Sequence, residues 1–248
     1  MTKYLTIFLT LLLFGPTLAQ EEIEPAAERA LIVVSEMGRH LAELESFSVR
    51  SESIFDEPLS GQLVEYSQTT HVMAHRARGF RMNTEGDLMN SSAYFDGTNF
   101  VMYDHERQFY AVAPFSGTLH SLTDHLAEKL GVVLPLAELL RKDPGEAFLE
   151  KVETIFYVGL NSVEGDKCHH VAGRNINGME WELWISDDTL LPRKIVVRDS
   201  TLPGAPRSVA ILSDWKLNPD LPEMIFHFLI PPEATQIDFK LPKSGGKS

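Results

Sequence analysis

His71 and His75 have the four-residue spacing with which two ligands on a helix share a zinc ion. Their surroundings are rich in β-branched and aromatic residues, however, which is typical of a strand. Four residues of strand span roughly 13 Å, whereas each zinc ligand lies about 2 Å from its ion. We therefore predict no metal role for this histidine pair.

The consecutive residues Cys168, His169 and His170 form a second candidate site. In a strand, Cys168 and His170 share one face about 7 Å apart, while His169 points to the other face. Two ligands on one face could begin a soft-metal site, which would still need a third ligand from elsewhere. The alternative, which we favour, is a small buried thiol beside a hydrogen-bonded or solvated histidine. A Cys–His nucleophile pair is disfavoured because it needs side chains within about 3 Å of each other.

Glu180 and Glu182 also share a strand face, about 7 Å apart. This separation falls in the range of the two carboxyl groups of an inverting glycosidase. Apolar residues alternate with the glutamates on the opposite face, at Met179, Trp181, Leu183 and Ile185. The pattern is therefore typical of a half-buried strand with a solvated polar side, and we favour that interpretation.

Known catalytic and cofactor motifs are missing from the sequence. It has no Gly-x-Ser-x-Gly, no Gly-x-Gly-x-x-Gly after a strand, no phosphate loop, no His-Glu-x-x-His and no EF-hand loop. We predict a protein that is not an enzyme and that has neither a cofactor nor a metal ion. The net charge of −13, without a Lys/Arg cluster, disfavours nucleic acid and anionic lipid surfaces as partners.

The first residues have the features of a secretory signal peptide. Lys3 supplies the positive start, an apolar stretch follows at 5–14, and Gly15-Pro16 interrupts any helix. Small residues three before and immediately before a cut after Ala19 match a cleavage site. The apolar stretch is shorter than the roughly 20 residues that cross a bilayer. We therefore expect cleavage of residues 1–19 and a periplasmic protein without stable membrane insertion.

Hydrophobic periodicity predicts one helix, a first series of strands, a helical insert and a second series of strands. Apolar residues at steps of three and four, including Leu31, predict an amphipathic helix over 26–44. The helical insert is predicted at 119–154, in segments 119–130, 135–140 and 145–154. Strands are predicted at 46–55, 63–77, 80–84, 92–95, 99–103, 108–112, 156–163, 167–174, 180–185, 193–199, 209–217 and 225–230.

These elements predict an α+β fold. An antiparallel sheet of about ten or eleven strands curls because strand twist accumulates, and apolar-faced helices are available to fill its concave side. We expect a curved sheet, an incomplete barrel, wrapped over helices in a single domain at 20–241. A polar tail at 242–248 is expected to be disordered. The single cysteine excludes an internal disulfide.

Large apolar side chains on the predicted strands suggest a binding surface. Most of them alternate along their strands, so each group can point one way. Methionine and aromatic residues are also the side chains that apolar ligand pockets use. The alternative is ordinary core packing against the helices. The residues concerned are Phe80, Met82, Phe100, Met102, Tyr110, Trp181, Trp215, Phe226 and Phe228.

Several short motifs resemble known families. The stretches Tyr94–Phe100, Leu191–Ile195 and Phe226–Phe228 are similar to the outer-membrane lipoprotein carrier superfamily (LolA/LolB/LppX-like). The stretches Leu134–Leu140 and Leu212–Trp215 resemble, more closely, a family of predicted periplasmic proteins with a domain of unknown function. The resemblance implies a helix-filled half-barrel whose hydrophobic cavity receives acyl chains or a lipidated protein, with the helical insert as its lid.

Two functional hypotheses follow from the sequence. The first is a monomeric periplasmic protein that binds or carries a lipid, a lipidated protein or another hydrophobic ligand. The second is an envelope protein-interaction or sensing module with a filled core and no small ligand. Hydrolysis by the glutamate pair, or metal chemistry at Cys168 and His170, is a distant third.

Overall fold

Strands are the commonest elements of the molecule, as the alternation of apolar and polar residues predicts. The computed structural model describes residues 18–239, with side chains from residue 25 onward. The predicted signal peptide up to residue 17 and the predicted tail at 242–248 lie outside the described residues. The strands are β1 (Ser46–Leu59), β2 (Gln62–His75), β3 (Gly79–Gly86), β4 (Asn90–Phe95), β5 (Asn99–Asp104), β6 (Phe109–Pro114), β7 (Val152–Val163), β8 (Asp166–Asn175), β9 (Met179–Ser186), β10 (Pro192–Asp199), β11 (Arg207–Leu217) and β12 (Thr235–Ile237).

The twelve strands form one open sheet in the order β12-β6-β5-β4-β3-β2-β1-β11-β10-β9-β8-β7. Two meanders, β1 to β6 and β7 to β11, join where β1 pairs antiparallel with β11. All neighbouring strands are antiparallel except β12, which runs parallel to β6. The prediction of a large antiparallel sheet that does not close into a barrel is confirmed, with a strand count slightly above the expected ten or eleven.

Helix α1 (Leu18–Ala42) supplies the main filling of the inner face of the sheet. Its residues Ala30, Val34, Met37 and Leu41 are buried and recur at intervals of three and four. They share one hydrophobic core with inward-facing residues of the strands. Leu31, which the sequence analysis placed on this face, is 43% exposed, so that assignment was wrong.

The segment between β6 and β7 is helical, as predicted, but in short pieces. Thr118 caps α2 (Leu119–His125) through a reciprocal hydrogen-bonding pair with Ser121, and a π-helical turn continues from Leu126 to Leu130. A 3₁₀ helix follows at Ala137–Leu140. The helical insert ends with α3 (Pro144–Leu149), which begins at a proline and is capped by Asp143. The predicted helix over 145–154 is thus too long, because β7 already starts at Val152.

Two glycines allow α3 to cross α1 closely. A Cβ atom on Gly145 would lie 2.8 Å from the Val34 carbonyl oxygen and 3.0 Å from the Gly38 Cα atom. A Cβ on Gly38 would lie 2.5 Å from the Gly145 Cα. Because larger residues would force the two backbones apart, this pair of glycines fixes the position of α3 against α1.

Arg76, just after β2, joins α1 to the helical insert. Its guanidinium donates hydrogen bonds to the carbonyl oxygens of Leu41 (2.7 Å), Leu44 (3.0 Å) and Arg141 (2.8 Å). The Leu41 carbonyl lies in the last turn of α1, where helix carbonyls lack intrahelical partners, and Leu44 follows the end of the helix by two residues. Burial lowers the pKa of Arg76, and the nearby Asp143 opposes this shift.

The predicted strand over 225–230 is wrong. Residues Glu223–Phe226 form a 3₁₀ helix that starts after Pro222, and the Ile225 and His227 amides bond to carbonyls three residues earlier. The edge position beside β6 is occupied by β12. The following Leu229 and Ile230 are 72% and 60% exposed, which a buried strand would not allow.

Replacing Arg76 with methionine should destabilise the protein by about 2–4 kcal/mol, because three partly buried carbonyls lose a charged hydrogen-bond donor. The free energy of unfolding can be measured by urea denaturation followed by tryptophan fluorescence. Arg39→Met is the matched control, since Arg39 makes an exposed pair with Glu43 on α1 and should change stability by less than about 0.5 kcal/mol. Equal effects of the two substitutions would contradict the role assigned to Arg76.

Candidate functional site

A cavity of about 540 Å³ lies between the inner face of the sheet and the helical insert. Strand residues from both meanders form its floor and sides. The segment from Val132 to Leu136 and the side chain of Phe148 form the opposite wall. The cavity is therefore the part of the concave side that the helices leave unfilled.

The lining of the cavity is mainly apolar and contains many methionines. Four of the eight methionines in the chain line it, namely Met82, Met89, Met102 and Met179. Methionine is flexible and polarizable, so it adapts to ligands of different shapes. Ala93, Ile195, Val197 and Ala210 add aliphatic surface from β4, β10 and β11.

The polar groups on the inner face are largely paired with each other. The hydroxyls of Ser51 and Ser53 lie 3.2 Å apart, and those of Thr70 and Thr84 lie 3.1 Å apart. These hydroxyls satisfy each other inside the sheet, as buried polar groups require.

Charged side chains line another part of the cavity. Asp56, Glu57, Asp199 and Arg207 all contribute to its surface, and Asp56 accepts a hydrogen bond of 3.0 Å from the backbone N–H of Arg207. Glu138 lines the cavity from the 3₁₀ helix of the insert. Burial raises the pKa of the Glu138 carboxyl, and the hydrogen bond from its own backbone N–H and the charge of Arg141 only partly oppose this effect.

The structure places the nine predicted ligand-lining residues in four environments. Met82 and Met102 line the cavity. Four others belong to, or pack on, the core around α1, namely Phe80, Phe100, Trp181 and Trp215. Phe226 is buried in the 3₁₀ helix that follows Pro222.

Tyr110 and Phe228 lie on the outer face of the sheet, away from the cavity. Tyr110 pairs with Tyr103, which alternates with the inward-facing Met102 and therefore points outward. Phe228 packs on this outer cluster, with its ring centroid 5.3 Å from Tyr110 and 5.4 Å from Tyr103. These two aromatics consequently cover the outside of β5 and β6.

Sequence analysis missed most of the residues that do line the cavity. The insert residues from Val132 to Leu136, together with Glu138, were placed only within a predicted lid. Their position across the sheet depends on long-range packing. The one signal in the sequence was the short motif Leu134–Leu140, on which the family resemblance was partly based.

Cys168, His170 and the two glutamates lie on the outer face, whereas His169 lies on the inner face, where it contacts Tyr157 (2.9 Å) and Asp187 (2.9 Å). His170 lies between Asn161 (2.8 Å) and Glu182 (2.9 Å) and stacks on Trp184 at 4.0 Å. Burial lowers the pKa of His170, and Glu182 opposes this shift. Cys168 is buried, which raises the pKa of its thiol.

The remaining candidates are paired or spread along their strand. Glu180 pairs with Arg174 at 2.6 Å, so both glutamates of the predicted pair have basic partners. His71 and His75 lie on β2. Among residues 18–239, no three His, Cys, Asp or Glu side chains are grouped as a metal site would require.

Glu138→Gln should stabilise the protein at neutral pH. In the unfolded chain the carboxyl ionises as the pH rises above its ordinary pKa of 4.5. In the folded state burial raises this pKa, so the carboxyl ionises only at a higher pH. The wild type therefore loses stability as the pH rises from 4.5 through the raised pKa, and the variant does not. The two should have equal stability below pH 4.5.

Urea denaturation across this pH range measures the difference. Glu128→Gln is the matched control, because Glu128 is an exposed glutamate of the same insert and its substitution removes the same charge. A parallel pH dependence of wild type and Glu138→Gln would contradict the assignment.

In the described part of the chain, no helix has the length and apolar content needed to cross a membrane. The comparison with curated proteins gives no match.

Solved structures give matches at low sequence identity. A conserved protein from Thermus thermophilus is 13% identical, covers 86% of this chain and 98% of its own, and has a TM-score of 0.51. LprF from Mycobacterium bovis is 13% identical over 85% of this chain and 99% of its own, with a TM-score of 0.46. A LolA superfamily protein from Nitrosomonas europaea is 14% identical, covers 82% of this chain and 98% of its own, and has a TM-score of 0.37. The similarity to the Thermus protein is one of fold.

The sequence profile described as "Predicted periplasmic protein (DUF2092)" matches residues 30–240. The match starts within α1 and extends beyond β12, so it includes the whole sheet, the helical insert and the cavity. The resemblance found in the short motifs is thereby confirmed. The chain belongs to this family of predicted periplasmic proteins.

Proposed function

We propose that this protein binds a lipid, or the acyl group of a lipid-modified partner, in the cavity between the sheet and the helical insert. The observation that carries the proposal is the cavity itself, which combines an apolar, methionine-rich lining with a volume of about 540 Å³. Small-molecule sites generally have about 300–1,000 Å³ and few polar groups.

The position of the insert suggests how a ligand enters. Val133 is 82% exposed and Leu134 is 6% exposed, so the wall from Val132 to Leu136 presents one side to solvent and the other to the protein. Leu136 has a positive φ of 55°, a conformation that non-glycine residues adopt rarely. We propose that this segment moves outward to admit the ligand and returns to cover it.

The compartment and the mode of action belong to the same proposal. The signal-peptide pattern supports export, and a cavity without a recognised catalytic constellation supports binding over catalysis. The protein would act as a periplasmic monomer that holds its ligand noncovalently, with no cofactor.

Ala93→Phe should weaken ligand binding by about tenfold or more, which corresponds to about 1.4 kcal/mol. Ala93 is 5% exposed, lies on β4 and lines the cavity, so a phenyl ring there would occupy ligand volume. The measurement is displacement of the fluorescent probe N-phenyl-1-naphthylamine by 1-monomyristoylglycerol from the purified mature chain.

Ala172→Phe is the matched control, since Ala172 is a half-buried alanine in a groove on the outer face of β8. It should leave binding unchanged. Failure of the wild type to bind any acyl probe, or equal binding by both variants, would count against the cavity as the ligand site. Thermal unfolding of each variant shows whether it is folded.

A protein-interaction module is the second candidate function, and the edge strand β7 favours it. In the described chain, β7 has a strand neighbour on one side only, and its Phe156 and Val158 are 48% and 47% exposed. An edge with exposed apolar residues can accept a strand from a partner. This function is tested by photo-cross-linking in intact cells with a photoreactive residue in place of Phe156. A specific protein crosslinked at this position would support it, and the absence of any such protein would contradict it.

A further inference from the structure

Glu138 is a carboxyl group in an otherwise apolar part of the cavity. It lies on the 3₁₀ helix between the cavity residue Leu136 and the buried Leu139 and Leu140. Among the described side chains, residues 25–239, no other residue donates a hydrogen bond to its carboxyl oxygens. Glu138 is part of the cavity lining.

The nearest base does not neutralise Glu138, since it is bound elsewhere. Arg141 donates a hydrogen bond of 2.7 Å to Asp124 and lies 3.7 Å from Glu150. Both of these acids lie on the exposed side of the insert. Glu138 is half-buried, and the one hydrogen bond to its carboxylate comes, within the described residues, from its own backbone N–H. A ligand group that hydrogen-bonds to it would therefore offset part of its desolvation.

The protonation state of Glu138 determines which groups can fill this role. Burial raises the pKa of its carboxyl, which favours the protonated form. A protonated carboxyl donates one hydrogen bond through its O–H and accepts others at its carbonyl oxygen. Hydroxyl, ester and amide groups match this pattern.

The other charges of the cavity disfavour an anionic ligand. Asp56, Glu57 and Asp199 line it together with a single base, Arg207. Three carboxylates against one guanidinium give this end of the cavity an acidic surface, which disfavours an anionic head group. The overall charge of −13 acts in the same direction at longer range.

We infer that the cavity selects amphiphiles with an uncharged hydrogen-bonding group, which binds to the carboxyl of Glu138, and discriminates against free fatty acids. This inference rests on the proposed function, since it specifies the ligand class of the same cavity. Glu138 acts as the specificity-determining residue, and the methionine-rich lining holds the hydrocarbon chain.

Ligands with the same chain and different head groups test the inference. Near neutral pH, 1-monomyristoylglycerol should displace N-phenyl-1-naphthylamine from the wild type at a concentration about tenfold lower than myristate, a difference of about one hydrogen bond to a polar group. Glu138→Leu should lose about tenfold in affinity for the monoacylglycerol. Glu138→Gln should keep that affinity, because an amide also donates and accepts.

Glu128→Leu on the exposed side of the insert is the control and should bind both ligands as the wild type does. Equal binding of the two ligands by the wild type, an unchanged preference in Glu138→Leu, or tighter binding of tetradecylamine than of either would overturn the inference. Any of those results would leave the proposed function standing, because a ligand would still bind in the cavity. Absence of binding by every probe would instead refute the proposed function, and this inference with it.

Discussion

Strand twist gives the twelve-stranded sheet a concave face that other elements must cover. Twelve twisted strands curl, and their concave face is larger than one helix can cover. Helix α1 fills part of it, and the helical insert reaches over another part. Arg76 and the Gly38–Gly145 crossing hold these two pieces together. Because the insert consists of short helices joined by an extended wall, it leaves a cavity of about 540 Å³.

The sheet could be predicted from the sequence because strand alternation is a local signal. The hairpin at Asp96-Gly97 is an example, since Asp96 accepts hydrogen bonds from the Thr98 and Asn99 amides and Gly97 has a φ of 89°. The segment at 225–230 could not be predicted in this way. Its apolar residues resemble a strand, but its structure is decided by Pro222 and by occupation of the β6 edge by β12.

The cavity was harder to predict than the sheet, because its walls come from distant parts of the chain. Which face a residue occupies depends on hairpin register, and Tyr110 shows this clearly: pairing with Tyr103 puts it outside. Met82 and Met102 are the two predicted residues that reach the cavity. Glu138 carries no signal in the sequence, since a glutamate on a helical segment is ordinarily solvated. Such departures from local rules occur preferentially at functional sites.

Native mass spectrometry of the chain, purified without detergent from its host, tests whether the cavity holds a lipid. If it does, we expect a population of one-to-one complexes whose added mass is that of an uncharged single-chain or acyl-bearing lipid, and whose release requires organic solvent. A homogeneous bare chain that also takes up no lipid on incubation would contradict it, because the space between sheet and insert would then be a packing feature without a ligand.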